Sequence, residues 1–302
     1  MSDAQFGQFL ALASAFSFAF ANVLIARSSG RRDSRGVVFS VLVTVTFSFG
    51  LWLITESIEM PDFGSDSWWK GVGFYVIAGV LTMVVGRSFL YKSVRRLGVI
   101  RSSTVKRMNP FFSSLLAFLI LGEVITGLGV VGMLALLAAF GLMLAESAKN
   151  QSDIGAPPPV LDYSFGVLSA LAYGSAYIFR KYGIVELPYP AFGTFVSAVS
   201  GVVAFIIVGL LVKNFRDQLT GVFSDLDRWM ILASIAVSIG QILFFAAIVH
   251  ETVIVVVMIA SLEIFIASFL SIFVFRLERK LSAILFWSSV LAFGGVIMIA
   301  SG

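Results

Sequence analysis

Long apolar blocks, separated by short polar stretches, recur along the whole chain. Each block is about 20 residues long, which is the length of a helix that crosses a hydrocarbon core of roughly 30 Å. We therefore expect an all-α membrane protein embedded in a lipid bilayer. The pattern predicts ten membrane-spanning helices, at residues 6–26, 37–55, 71–92, 98–121, 125–145, 164–182, 190–212, 229–249, 252–275 and 282–301.

One long polar stretch, residues 147–162 with the sequence SAKNQSDIGAPPPVLD, divides the predicted spans into two groups of five. We interpret it as a linker between two five-helix units, 1–146 and 163–302. The two units resemble each other, since Phe-Gly followed by Ala-Leu-Ala opens both of them at a constant offset of 159 residues. Because each unit has an odd number of spans, the second is predicted to be inverted relative to the first, as in many secondary transporters.

The distribution of basic residues predicts the orientation. With Arg87, Lys106 and Arg107 set aside as intramembrane, 15 of the remaining 18 Lys and Arg residues fall on one side of the predicted membrane and 3 on the other. Cytoplasmic loops are enriched in Lys and Arg. We therefore expect the basic side to be cytoplasmic, both termini to lie outside, and the membrane to be a bacterial-type inner (plasma) membrane.

Composition narrows the function classes. The chain is 59% hydrophobic and 13% charged, and its net charge of +4 is better assigned to cytoplasmic loops than to nucleic-acid binding. There is no cysteine and one histidine, so we expect no metal site and no thiol chemistry. Every Asp lies in a loop or at a span end, and G-x-S-x-G, H-E-x-x-H and nucleotide-binding loops are absent. We expect no catalytic residues, no cofactor and no use of ATP.

The segment 101–123 carries the most informative pattern. Read as a helix, it places its polar residues on one half-face, at positions 102, 103, 106, 107, 109, 113 and 114. Pro110 lacks the N–H that would otherwise bond the Lys106 carbonyl. A polar, charged face inside a bilayer is expected to line a cavity, because lipid does not tolerate it elsewhere.

Ten spans in two halves, with a fourth span that ends Leu-Gly-Glu at 121–123, resemble the EamA branch of the drug/metabolite transporter superfamily. The Phe-Arg-Lys-Tyr-Gly run at 179–183 fits the same resemblance. The stretch 104–112 is also similar to the fourth span of sugar-phosphate and nucleotide-sugar carriers, in which a lysine before a Pro-Phe pair helps to hold phosphate. The resemblance implies that role for Lys106. Those carriers also use a Lys-Arg pair in the ninth span, where this chain offers Glu263, so half of the anion clamp is missing.

Lys106 and Glu263 are expected at similar depths, about 12 to 16 Å from opposite ends of their spans. A lone charge there costs several kcal/mol, so each should have a partner. One interpretation is a structural ion pair of Glu263 with Lys106 or Arg107. The other is a switchable pair, in which Glu263 takes a proton or Lys106 takes an anionic substrate. Lys106 and Arg107 together outweigh the single negative charge of Glu263. An anionic or zwitterionic ligand would balance the remaining positive charge.

Further substrate-binding candidates are Asn109, Arg87, Tyr173 and Tyr177. Arg87 either contributes to the basic cavity or extends to the membrane interface. The two tyrosines either bind a ligand or pack as aromatic side chains.

Other charged residues near span ends are expected to be structural. Arg180 and Lys181 should anchor the end of the sixth span at the membrane interface. Glu123 and Glu278, at equivalent places in the two halves, should cap or orient neighbouring turns.

The sequence thus predicts a secondary transporter, as a monomer or homodimer, that moves a small anionic or zwitterionic metabolite by alternating access. Glu263 is the candidate proton-coupling residue. Two alternatives remain: a non-transporting membrane sensor or assembly partner, and an exporter of amino acids or cationic drugs.

Overall fold

The protein is described from a computed structural model, and every regular element in the described part is helical. The model describes residues 2–28, 34–56, 64–97, 105, 108–125, 127–149, 159–212, 216, 219, 221–223, 226–276 and 282–301.

The first unit contains six α-helices and two π-helical segments among the described residues. The α-helices are α1 (Asp3–Arg27), α2 (Ser34–Thr55), α3 (Asp66–Val80), α4 (Arg87–Leu97), α5 (Asn109–Leu116) and α6 (Leu128–Lys149). The π-helical segment Leu81–Gly86 joins α3 to α4, and Ala117–Leu121 extends α5.

The second unit has a corresponding order of elements. Its α-helices are α7 (Val160–Glu186), α8 (Pro190–Leu211), α9 (Arg228–His250), α10 (Val253–Ala260), α11 (Glu263–Phe269) and α12 (Ala283–Ser301). The π-helical segment Leu270–Val274 extends α11.

The helices have the length and surface of an integral membrane protein. In the described part, 7 helical stretches are long and apolar enough to span a bilayer, and the apolar helices Asn109–Leu121 and Leu128–Met143 are shorter. Large apolar side chains face outward, among them Ile54 at 81% exposure and Leu211 at 79%. Such a surface is stable only against lipid, because in water it would drive aggregation.

The predicted fourth and ninth spans share an unusual construction. The described part of the fourth begins a helix at Asn109 and ends in a π-helical segment. The ninth, predicted over 252–275, runs as one span from Val253 to Val274 with a tightened turn at Ser261 and Leu262 between α10 and α11, where Leu262 N–H bonds Ile259 O at 3.0 Å. Its second part also ends in a π-helical segment. This matched construction agrees with an internal repeat.

Helices of the first unit pack mainly against helices of the second unit. Helix α1 lies along α9, α10 and α11, while α3, α4 and α5 pack on α7. Helix α2 lies between α8 and α9, and α6 pairs with α12. The buried core therefore consists of contacts between the units, and any space at its centre is lined by both.

Helices α6 and α12 approach so closely that their backbones touch. A Cβ added at Gly295 would lie 2.6 Å from the Gly132 carbonyl oxygen, and one added at Gly132 would collide with the Gly295 carbonyl oxygen. Small residues allow this approach of helix backbones in membranes.

We predict that Gly132→Ala and Gly295→Ala each lower the thermal unfolding midpoint of the detergent-purified protein, because the added methyl group forces the helices apart at a cost of about 1–3 kcal/mol. Gly141→Ala and Gly294→Ala are matched controls on the same two helices, where an added Cβ meets nothing within 4 Å. These controls should leave the midpoint unchanged or slightly raised. Equal effects at all four positions would contradict the close packing.

Candidate functional site

A cavity of ≈ 420 Å³ lies between the two units. Polar and charged side chains from both units line it, together with apolar ones from the same helices. Its polar lining in the described part consists of Asn22, Asn109, Tyr177, Ser261, Glu263, Ser268 and Ser271. A volume of this size is typical of pockets that enclose small organic molecules.

The cavity lies toward one face of the molecule. On α1 it is lined by Phe18, Asn22 and Ala26, near the end of the helix, and Asn22 and Ala26 are exposed. Arg27 follows at that end and stacks on Trp229 with 4.3 Å between its guanidinium carbon and the ring centroid. We call this the basic face. The opposite face, which carries Glu56, Glu123 and Glu251, is called the acidic face.

The inner wall of the cavity carries a short hydrogen-bonded cluster. The Asn109 amide faces the Tyr177 hydroxyl in a long hydrogen bond of 3.5 Å, and the Ser113 hydroxyl donates to the Asn109 carbonyl at 2.8 Å, with the Asn109 side-chain oxygen at 3.1 Å. The Tyr177 ring packs on Phe244 with centroids 4.7 Å apart. This packing restricts the Tyr177 side chain, so its hydroxyl can be offered to a ligand with little further loss of side-chain entropy.

Glu263 lies just after the tightened turn of the ninth span. It is the first residue of α11, is half-buried, and lines the cavity together with Asn109 and Tyr177. An ionisable side chain that lines a cavity inside a membrane protein is a candidate for ion or substrate binding.

The acidic face is closed by two glutamates that cap helices of the other unit. The Glu123 carboxylate accepts from the Val253 and Ile254 N–H groups, both at 3.0 Å, at the start of α10. The Glu56 carboxylate accepts from the Ala191 and Phe192 N–H groups, both at 2.9 Å, at the start of α8. The prediction that Glu123 caps a neighbouring turn is confirmed. Glu278 lies outside the described residues.

Further polar contacts reinforce this face. The Lys181 ammonium donates to the carbonyls of Ile248 at 2.8 Å and Glu251 at 3.0 Å, at the end of α9. Gln8 donates to the Glu251 carboxylate at 3.1 Å, and the Tyr75 hydroxyl donates to the Leu187 carbonyl at 2.6 Å. The cavity is therefore accessible toward the basic face and separated from the acidic face.

The family of the chain follows from comparison with known proteins. A family model described as the EamA-like transporter family matches residues 5–145 and again 161–301. The chain belongs to the EamA-like transporter family. The double match confirms the resemblance drawn from the sequence, and with the apolar helices it establishes a membrane transporter in general terms.

Among solved structures, one described as a crystal structure of a protein has a TM-score of 0.67 and 13% identity, covering 97% of this chain and 95% of its own. At 13% identity this similarity shows only that the two proteins share a fold. No curated protein matches the sequence.

The structure describes only some of the residues predicted to bind substrate. Asn109, Tyr177 and Glu263 are brought together around the cavity. Lys106 and Arg107 lie outside the described residues, and so does the side chain of Arg87, whose backbone begins α4. Their predicted roles stay predictions.

Tyr173 lies apart from this group. It is one turn before Tyr177 on α7 and packs against Gly86, where an added Cβ would meet its ring at 3.0 Å. It is not among the residues that line the cavity in the described part.

The expectation that Arg180 anchors at the membrane interface is wrong. Its side chain is 4% exposed, because α7 continues to Glu186, four residues past the predicted end of the sixth span, and this places Arg180 inside the helix bundle. Lys181 donates to backbone carbonyls at the end of α9, and its place at the membrane interface stays a prediction.

The capping role of Glu56 was missed from the sequence, because the residue follows an apolar span in an acidic loop. One signal could have found it: Glu56 and Glu123 each follow the end of an apolar span in the first unit. Burial raises the pKa of the Glu56 carboxyl above its ordinary value, and the two N–H donors act in the opposite direction.

We predict that Glu123→Ala loosens the acidic face. Loss of one cap costs about 1 kcal/mol, which corresponds to roughly a fivefold rise in the population of a form open on this face. Because the chain has 0 cysteines, Ala11→Cys, at a position on α1 with 0% exposure, serves as a single reporter. Its labelling by a membrane-impermeant maleimide from the acidic face should rise by about that factor.

Glu186→Ala is the matched control, since Glu186 ends α7 and is not one of the two capping glutamates. It should leave the labelling rate of the reporter unchanged. An unchanged rate in Glu123→Ala as well would show that the cap does not hold this face closed.

Proposed function

We propose that this EamA-like protein is a secondary transporter that carries a small metabolite with an anionic or zwitterionic group by alternating access. One observation carries the proposal: the ≈ 420 Å³ cavity is lined by both units and lies toward the basic face, while contacts between the same two units close the acidic face. In a pair of inverted repeats, this asymmetry describes one of two exchangeable states.

The closing contacts are of a kind that can be broken and remade. Glu56 and Glu123 hold the starts of α8 and α10 by two N–H···O bonds each. A carboxylate cap contributes about 1 kcal/mol, and an opened face would let water replace it. The free-energy difference between the two states therefore remains within a few kcal/mol, a range that a bound solute can reverse.

The described lining supports a small, charged and hydrogen-bonding solute. Glu263 is its charged side chain in the described part, and Asn109 and Tyr177 supply neutral donors and acceptors. A carboxylate of this kind would bind the ammonium group of a zwitterion or take up a proton. The anionic group of the solute is assigned to the predicted basic residues Lys106, Arg107 and Arg87.

Export of amino acids or cationic drugs is the second candidate function, and the position of Glu263 on the cavity wall favours it. Both functions use the same cavity. They differ in whether an anionic group on the solute is required for transport.

We predict that proteoliposomes containing the wild type take up or release members of a panel of amino acids, organic anions and organic cations. Glu263→Gln should remove the pH dependence of transport, because it removes the proposed proton site. Asn109→Ala should raise KM about three- to tenfold, the effect of losing one neutral hydrogen bond. Lys106→Ala should lower transport of anionic and zwitterionic solutes and spare cations.

Glu186→Gln is the matched control, because Glu186 ends α7 and does not line the cavity. Unchanged transport and pH dependence in both Lys106→Ala and Glu263→Gln would show that the site is assigned wrongly. If no solute of the panel crosses, the sensor or assembly alternative is favoured.

The orientation predicted from the basic residues places the cavity on the cytoplasmic side. We predict that, in intact cells, an impermeant maleimide labels Gly64→Cys, in the exposed turn before α3, and spares Phe223→Cys, in the turn before α9. Permeabilised cells should label both, because each position is exposed. The reverse pattern would place the cavity outside and the termini in the cytoplasm.

A further inference from the structure

Arg180 is buried at the centre of the molecule, outside the main cavity. It lies one turn after Tyr177 on α7 and is 4% exposed. Its guanidinium carbon is 4.4 Å from the ring centroid of Phe245 and 5.4 Å from that of Tyr177. Stacking on aromatic rings engages the faces of the guanidinium group and leaves its N–H groups, which point outward in the guanidinium plane, in need of acceptors.

Arg180 also lines a second, smaller cavity of ≈ 50 Å³, which we call the arginine cavity. The buried Arg180 Nε has no hydrogen-bond partner among the described residues. The polar side chains that line this cavity with Arg180 are Ser40, Thr44, Thr82, Thr194, Ser197 and Gln241. They come from both units, and the part of the lining that the structure describes contains no carboxylate.

Most hydroxyl protons around the arginine cavity are already committed to backbone carbonyls. Thr44 donates to Ser40 O at 2.9 Å and Thr194 to Pro190 O at 2.8 Å, while Ser197 donates to Tyr75 O at 3.0 Å. Thr82 donates to Ala78 O at 3.0 Å. The donors that remain for a ligand are the Arg180 guanidinium, the Gln241 amide and the Ser40 hydroxyl.

A permanent positive charge in this place needs compensation. The guanidinium group stays protonated in proteins, and an uncompensated charge inside a bilayer protein is strongly unfavourable. Water in the cavity would satisfy hydrogen bonds, but neither water nor any described side chain that lines the cavity supplies a negative charge in contact with the guanidinium. A cavity of ≈ 50 Å³ is larger than the roughly 10–15 Å³ that one water needs on the same measure, so it has room for one small anionic group or for a few waters.

We propose that the arginine cavity is a binding subsite for one small monovalent anionic group, held by Arg180, Gln241 and Ser40. The group is either a free halide ion or the carboxylate of a transported solute. The carboxylate form rests on the transport function proposed above and gives the anionic group of the solute to Arg180 in place of Lys106, Arg107 and Arg87, whereas the free-ion form does not rest on that function. Tyr177 connects the two sites, since it lines the main cavity and its ring faces the guanidinium.

The test measures thermal unfolding of the wild type in nanodiscs at constant ionic strength, with chloride, bromide or acetate replacing a bulky sulfonate (the HEPES anion), which has no carboxylate and is too large for the cavity. A binding anion should raise the midpoint in a saturable way, by about 2 °C at ten times its Kd. Arg180→Gln should lose this dependence, and Arg180→Lys should keep part of it. Arg228→Gln is the control, because Arg228 also stacks on an aromatic ring, Trp229 at 4.8 Å, but is exposed.

A saturable effect of halide on the midpoint that Arg180→Gln removes supports a free-ion site. Crystals of the protein soaked in bromide should then show anomalous density beside Arg180. An acetate effect without a halide effect supports the carboxylate form, and Arg180→Gln should then lose transport of carboxylate solutes in proteoliposomes. A wild-type midpoint that responds to none of the anions overturns the proposal, even if Arg180→Gln fails to fold. Anion binding without transport of any solute would keep the subsite and reject the transport function.

Discussion

The structure depends on how the two helices that start at the acidic face, α8 and α10, satisfy their first N–H groups. An α-helix leaves these donors without intrahelical partners, and lipid offers no water to replace them. Helix α8 begins at Pro190, which has no N–H, and its next two donors go to Glu56. Helix α10 gives its first two donors to Glu123 and its third, from Val255, to the Thr252 hydroxyl. In both helices the cap comes from the other unit.

This dependence links local chemistry to the arrangement of the whole molecule. A cap supplied by the residue that precedes the helix, such as Thr252 before α10, stabilises that helix in any relative position of the two units. A cap supplied across the interface stabilises one relative position of the units and no other. The contacts of Glu56 and Glu123 lie on one face, and the cavity lies toward the opposite face. The same bonds that complete two helices therefore also determine which face is closed.

Much of this arrangement could be read from the sequence, because it follows from length and periodicity. Apolar blocks of spanning length predict the helices, and the repeated Phe-Gly and Ala-Leu-Ala pattern predicts two related units. The polar half-face of the fourth span predicts a cavity wall, and Asn109 does line the cavity. Glu263 could be recognised because a carboxylate inside an apolar span costs too much free energy to be incidental.

The positions of Arg180 and Glu56 could not be predicted, because they depend on how far each helix extends and how it is rotated about its axis. The hydrophobicity of a segment determines neither. Arg180 lies near the end of an apolar block, and a charge at such a position normally reaches the interface. The actual helix continues to Glu186, so the same residue lies deeper and faces Phe245. Glu56 follows an apolar block in the same way, yet its carboxylate turns inward to a helix start. No feature of a single apolar stretch distinguishes these cases, because the partner lies in the other unit.

Tyr177 is the point at which the two central charges are coupled. Its side chain lines the main cavity with Glu263, and its ring lies 5.4 Å from the guanidinium carbon of Arg180. A negative and a positive group are thus both close to one aromatic side chain, and burial of the guanidinium strengthens the Coulomb interaction between them. A zwitterionic solute would match this order of charges. Movement of the Tyr177 ring would then change both the shape of the main cavity and the surroundings of the buried guanidinium.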